Sequence, residues 1–351
     1  MTAQRVCALS LSHRAFPRPP RASPRSRAMS TPPAAAAGAG TVVSPAWLAD
    51  AMRDQERRVR VLDCSWYLPA MARDGIEEHA ARRIPGARYF DVDAISDPTS
   101  SLPHMLPSAS QFAAACDALD VRNDDQVVVY DGAGLFSAAR AWWMFKAFGH
   151  DAVAVLDGGM PAWLEANLPL DETAVDDAAV RAAAAAAAAA VASEDGRRAG
   201  CFKARLDKSL VRSKQDVLTR CVESAGNSAT ERLVDARPEP RWRGAAPEPR
   251  KGVRSGRVPG SACVPFFSLL DESKRVKSGS EILKTFAAAG VDLRDTSTCL
   301  VASCGTGVTA CVLALGAALA VPELRPKGLP VYDGSWTEWG AEESGCPVET
   351  D

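Results

Sequence analysis

The sequence predicts an α/β fold built from two tandem copies of one domain, each a parallel sheet covered by helices on both faces. Three observations carry this expectation. At 351 residues the chain exceeds the usual size of a single domain. Short apolar runs alternate with helical patterns, as in parallel sheets buried on both sides. Four landmarks recur in the same order at a near-constant spacing of 172 to 176 residues, the mark of a duplication. "RVLDCSW" around Asp63 answers "RLVDARP" around Asp235, and "RIPGA" at Pro85 answers "RVPGS" at Pro259. "VVVYDGAG" ending at Gly134 answers "LVASCGTG" ending at Gly307, and "VLDGGMPAW" ending at Trp163 answers "VYDGSWTEW" ending at Trp339.

Taken in order, residues 1–40 stand apart. Arg5, Arg14, Arg18, Arg21, Arg25 and Arg27 all precede the first acidic residue, Asp50, with serine and proline between them. That composition is of the organellar transit type, a disordered basic tail being the plainer alternative, and predicts a mitochondrial protein, a plastid one being the other possibility. A shorter form starting at Met29 would be cytoplasmic. Residues 41–170 form the first domain, with "QVVVYD" (126–131) a strand, 137–149 a helix and 152–157 another strand. Residues 171–200, centred on nine consecutive alanines, read as a solvated helical or disordered linker. Residues 201–351 form the second domain. There 297–303 is a strand, 307–319 a helix apolar nearly all round and therefore buried, and 328–333 a strand.

Composition narrows the function. A net charge of −2 with 24% charged residues gives no footing for nucleic-acid or membrane binding. Ten cysteines in so long a chain, with no CxxC pair and no histidine near Cys299, Cys304 and Cys311, match neither a disulfide scaffold nor a zinc site. Free thiols, no metal and no cofactor are expected. Trp142, Trp143, Trp163 and Trp339 read as core, and Cys64, Cys116, Cys201, Cys221, Cys263, Cys299 and Cys311 as buried or incidental.

The segment "ASCGTGVTAC" (302–311) concentrates the chemistry. It delivers Cys304 from the carboxyl end of a strand, where ligands bind in such sheets, into a glycine-bearing loop that runs into a helix. A free thiol is only about 3% thiolate at pH 7, and lowering its pKa by ~2 units takes ~2.7 kcal/mol. A helix N-terminus and converging N–H groups of Gly305, Thr306, Gly307 and Val308 can supply that. The duplicated loop places Asp131 opposite Cys304. A carboxylate offers no thiol nucleophile, so one nucleophilic site per chain is expected, in the second domain.

With "VLDCSW", "IPGARYFDVDAISDPTSSLPHMLP", "RWRGAAPEPR", "CGTGVTA" and "VYDGSWTEW", the chain resembles the two-domain rhodanese family of sulfurtransferases. The loop is similar to the CG[ST]GVTA of its 3-mercaptopyruvate branch rather than the basic loop of its thiosulfate branch. The resemblance implies a Cys304 persulfide that takes sulfur from 3-mercaptopyruvate, releases pyruvate, and passes the sulfur to thioredoxin, glutathione or cyanide. It also implies that Arg241 and Arg250 clamp the donor carboxylate, and that Asp93, His104 and the Thr306 hydroxyl form a proton relay. Thr309 would hydrogen-bond within the substrate-binding loop. Arg257 stands where histidine is common. The rival readings are a thiosulfate sulfurtransferase, which would want cations in the loop itself, and a non-catalytic sulfur-relay module, which would not need Cys304, Arg241 and Arg250 together. A loop-cysteine phosphatase would need an arginine at position 310, which is alanine.

Overall fold

The computed structural model describes residues 40–54, 56–192, 202–224 and 230–351; the arginine-rich segment 1–39 and Cys201 lie outside them. The first copy contains strands β1 (Val42–Val43), β2 (Val59–Asp63), β3 (Arg88–Tyr89), β4 (Gln126–Tyr130) and β5 (Val153–Leu156). The second contains β6 (Val211–Arg212), β7 (Glu231–Asp235), β8 (Ala262–Cys263), β9 (Cys299–Ser303) and β10 (Val331–Tyr332). Each set forms a five-stranded sheet, in the orders β1-β5-β4-β2-β3 and β6-β10-β9-β7-β8, with every pairing parallel. The orders are the same, as a duplication requires.

Helices α1 (Pro45–Arg53), α2 (Gly75–Ala81), α3 (Ala109–Ala118), α4 (Ala138–Ala147), α5 (Gly159–Glu165) and α6 (Asp177–Ala192) flank the first sheet. Helices α7 (Lys214–Val217), α8 (Glu239–Trp242), α9 (Gly279–Ala288), α10 (Ala310–Ala320) and α11 (Ser335–Trp339) flank the second. The alanine run falls in α6, which is laid against α2 and α3 with Val180 and Ala184 buried and Arg181 bonded to Asp74. None of the described helices is long and apolar enough to cross a membrane.

Helices α4 and α10 pack on each other between the two sheets, so both are apolar almost all round, and one continuous core runs through both copies. Separate apolar clusters close the outer faces, one around Trp163 and one around Trp339. The exception within the shared core is Arg140, fully buried on α4. Its Nη1 lies 2.8 Å from Asp333 Oδ1 and donates to the Gly307 carbonyl at 3.3 Å, while Nη2 donates to the His104 carbonyl.

The two copies grip each other reciprocally. Leu106 N donates to Asp333 Oδ2 at 2.7 Å, and Val276 N donates to Asp157 Oδ1 at 2.9 Å. Each donor sits two residues before a capping-box serine, Ser108 of α3 and Ser278 of α9. His104 and Lys274, two residues earlier still, both take φ +61°. The mirror stops at Arg140, whose counterpart on α10 is Leu313.

Removing the guanidinium leaves the Asp333 carboxylate buried without its cation, so Arg140→Met is expected to lower the unfolding free energy by about 3–5 kcal/mol. Urea unfolding followed by tryptophan fluorescence measures it, and a loss under about 1 kcal/mol contradicts this account of the interface.

Candidate active site

Strand register fixes the comparison between the two loops. Asp63 pairs with Tyr130 and Asp235 with Ser303, so the next residues, Asp131 and Cys304, are equivalent. Each carbonyl accepts from the start of the helix after the last strand, Asp131 from Met160 N and Cys304 from Trp336 N, both at 3.0 Å. In the first copy the buried Asp131 carboxylate accepts from the N–H groups of Ala133, Phe136 and Ala138 at 2.8–2.9 Å. Burial pushes its pKa up while those three bonds oppose the rise. This loop shape therefore collects amides around a negative charge.

The second loop is held open to a cavity. Cys304 N donates to Ser335 Oγ at 3.2 Å, and Gly305 O accepts from the N–H and hydroxyl of Thr337. Gly307 takes φ +79°, where a Cβ would lie 2.9 Å from the Asp333 carbonyl and 3.1 Å from Arg140 Nη1, so only glycine fits. The cavity, of about 420 Å³, is lined by Cys304, Gly305, Thr306, Val308 and Thr309. Arg237, Arg241 and Arg250 complete its second-copy wall, and Trp66, Leu68 and Phe136 come from the first copy. Thr309 is the N-cap residue of α10, but its hydroxyl makes no capping bond, and the residue lines the cavity.

Asp93 and His104 meet as expected, with Nε2 to Oδ1 at 2.7 Å. Trp66 Nε1 holds the other Asp93 oxygen at 2.9 Å, and its ring stands edge-on to His104 with centroids 4.8 Å apart. Burial raises the Asp93 pKa, but the bond and charge of His104 and the bond from Trp66 outweigh it and hold the carboxylate below its ordinary value. His104 Nδ1 is buried with no partner among the described residues, and no hydrogen bond joins His104 to Thr306. Arg241 is not a free fork: its Nε bonds Glu248 Oε1 at 3.2 Å and its Nη2 bonds Oε2. Arg250 is exposed at the mouth.

Sequence reasoning missed Arg237, Glu248, Arg140 and the Ser335–Thr337 clamp. Arg237 is buried against Asp235 and stacks on Trp336 at 4.2 Å, and "DARP" beside "PEPR" was the available signal. Arg257 pairs with Glu349 and Asp351 over the Trp242 ring, away from the cavity. Burial raises the thiol pKa of Cys64, Cys116, Cys299 and Cys311, and lifts Cys221 and Cys263 to about 12. No group of three or more potential metal ligands occurs among the described residues.

Cys304→Ser is expected to abolish persulfide formation, read as a 32 Da mass gain on the protein after incubation with donor (about one sulfur atom on a covalent nucleophile). A persulfide found on another cysteine overturns the assignment.

The rhodanese-like domain matches this chain twice, at residues 44–166 and 220–342. The chain is 42% identical over 311 residues to thiosulfate/3-mercaptopyruvate sulfurtransferase 1, mitochondrial, of Arabidopsis thaliana, covering 88% of this chain and 78% of that protein. It is 41% identical to the 3-mercaptopyruvate sulfurtransferase of Rattus norvegicus, covering 85% and 91% respectively. The crystal structure of the 3-mercaptopyruvate sulfotransferase SseA from Escherichia coli superposes with a TM-score of 0.66 at 32% identity, over 85% of this chain and 99% of that one. With two matched domains, two matching sheets and relatives of this similarity, the chain belongs to the rhodanese-like family of sulfurtransferases.

Proposed function

We propose that the donor is 3-mercaptopyruvate and that Cys304 carries its sulfur. The observation that carries this reading is the pairing, in one cavity, of a loop cysteine with three arginines outside a loop that itself holds no cation. The Cys304 thiolate attacks the donor sulfur and forms an S–S bond. The donor's C–S bond breaks, and its electron pair passes to the enolate of pyruvate, which is then protonated. An acceptor thiolate next attacks the outer sulfur, leaving as a persulfide and restoring the Cys304 thiolate. Cyanide in the same role leaves as thiocyanate. Loop amides of the kind that cradle Asp131 stabilise the sulfur anion at each stage.

Arg250 and the outward edge of Arg241 hold the donor carboxylate. His104, oriented by Asp93 and Trp66, supplies the proton to the enolate through the Thr306 hydroxyl. Threonine retains the hydroxyl of the more usual serine, with a stiffer χ1. The acceptor is a small thiol such as glutathione, or a protein thiol such as thioredoxin. Residues 1–40 direct the protein to mitochondria, a reading supported by their composition and by the mitochondrial Arabidopsis relative.

Arg241→Ala and Arg250→Ala should each lower kcat/KM for 3-mercaptopyruvate about tenfold to a hundredfold, mostly through KM, since each removes a charged hydrogen bond of about 1.5–3 kcal/mol present before and during attack. Pyruvate release measures this, and wild-type behaviour of both variants refutes the clamp. Residues 1–40 fused to a fluorescent reporter should send it to mitochondria, and a diffuse cytosolic signal refutes the targeting.

A further inference from the structure

We propose that Glu248 determines the charge of the donor, restricting the cavity to monoanions. The inference rests on the donor reading above and deepens it. Three cations line the cavity: Arg237, Arg241 and Arg250. Two carboxylates oppose them. Asp235 takes Arg237 through Nε and Nη2, at 2.7 to 3.1 Å. Glu248, whose side chain is only 4% exposed, takes both of the inner arginines at once. Its Oε1 accepts from Arg237 Nη1 at 2.8 Å and from Arg241 Nε at 3.2 Å, and its Oε2 accepts from Arg241 Nη2.

The balance leaves one positive charge uncompensated, on Arg250, which has no ion pair among the described residues. Across the mouth, the Asp93 carboxylate bonds His104 Nε2 at 2.7 Å, and the Arg250 charge helps to hold its pKa down. One free positive charge suits a single carboxylate. A dianion such as thiosulfate brings a second negative charge toward a wall where Glu248 already holds one, in a half-buried site where charges interact strongly. Glu248 thus acts as a resident carboxylate. It fixes the two inner guanidiniums and cancels the attraction they would otherwise offer a second charge.

Glu248→Gln tests this. The variant keeps the side chain's shape and an acceptor oxygen, and Arg237 retains Asp235 and the Gly256 carbonyl. Losing one negative charge favours a dianion about twice as strongly as a monoanion. The ratio of thiosulfate to 3-mercaptopyruvate efficiency should therefore rise about tenfold at low ionic strength and shrink with added salt. Glu248→Asp, which keeps the charge, should leave the ratio within about twofold of wild type, a margin worth ~0.4 kcal/mol.

A measurement free of turnover accompanies it: sulfate and acetate binding to the resting enzyme, followed by quenching of tryptophan fluorescence, to which Trp66 in the cavity contributes. Glu248→Gln should tighten sulfate more than acetate. An unchanged ratio, an equal fall for both donors, or equal tightening of both anions overturns the proposal. Absence of pyruvate release by the wild type would refute the donor reading instead, and the anion comparison would still decide the role of Glu248.

Discussion

The loop that follows β9 has no shape of its own; it is held by groups distant in the chain, chief among them the buried guanidinium of Arg140. That side chain bonds the Gly307 carbonyl and the His104 carbonyl and faces Asp333, so it joins three segments in a core with little else that is polar. Its burial is costly and is offset only because each partner is present in the right place. Gly307 can then hold its positive φ and lead the loop into α10. The pocket's depth, the position of His104 and the docking of the copies all depend on the same charge.

Much of the fold was legible because its signals are local. The apolar runs at 126–131, 152–157 and 297–303 marked β4, β5 and β9, and the repeat tied the two copies together. Boundaries were read less well. The last strand shrinks to Val331–Tyr332 because Gly328, at φ +81°, and Pro330 bend the chain before it. The helices begin at Ala138 and Ala310, since the residues before them are spent on the loop. Cys304 stood out because a strand end, two glycines and a helix start are adjacent in sequence. Arg140 did not, being one of two basic residues on a mostly apolar helix, with partners 167 and 193 residues further on. Glu248 was passed over as part of an apparently solvated loop, because nothing in "PEPR" tells that its carboxylate turns inward.

The copies have diverged at matching positions. Asp235 is held by Arg237, whose guanidinium lies on Trp336. In the first copy Ser65 and Met160 stand in those places, and Asp63 is met by His79 and Tyr130 instead. The space left there is a cavity of about 320 Å³ beside a loop whose amides Asp131 already occupies. The first copy has closed its loop amides on its own carboxylate, while the equivalent position of the second holds a thiol beside an open cavity.

That division of labour ties the histories of the two copies together. In the proposed site the second copy supplies the thiol and the arginines, while the first supplies Trp66, His104 and the guanidinium of Arg140. On that reading neither copy owns a whole site, so a change acceptable to one sheet is still screened by the other across the seam. The two duplicated halves therefore stand or fall together as a single unit.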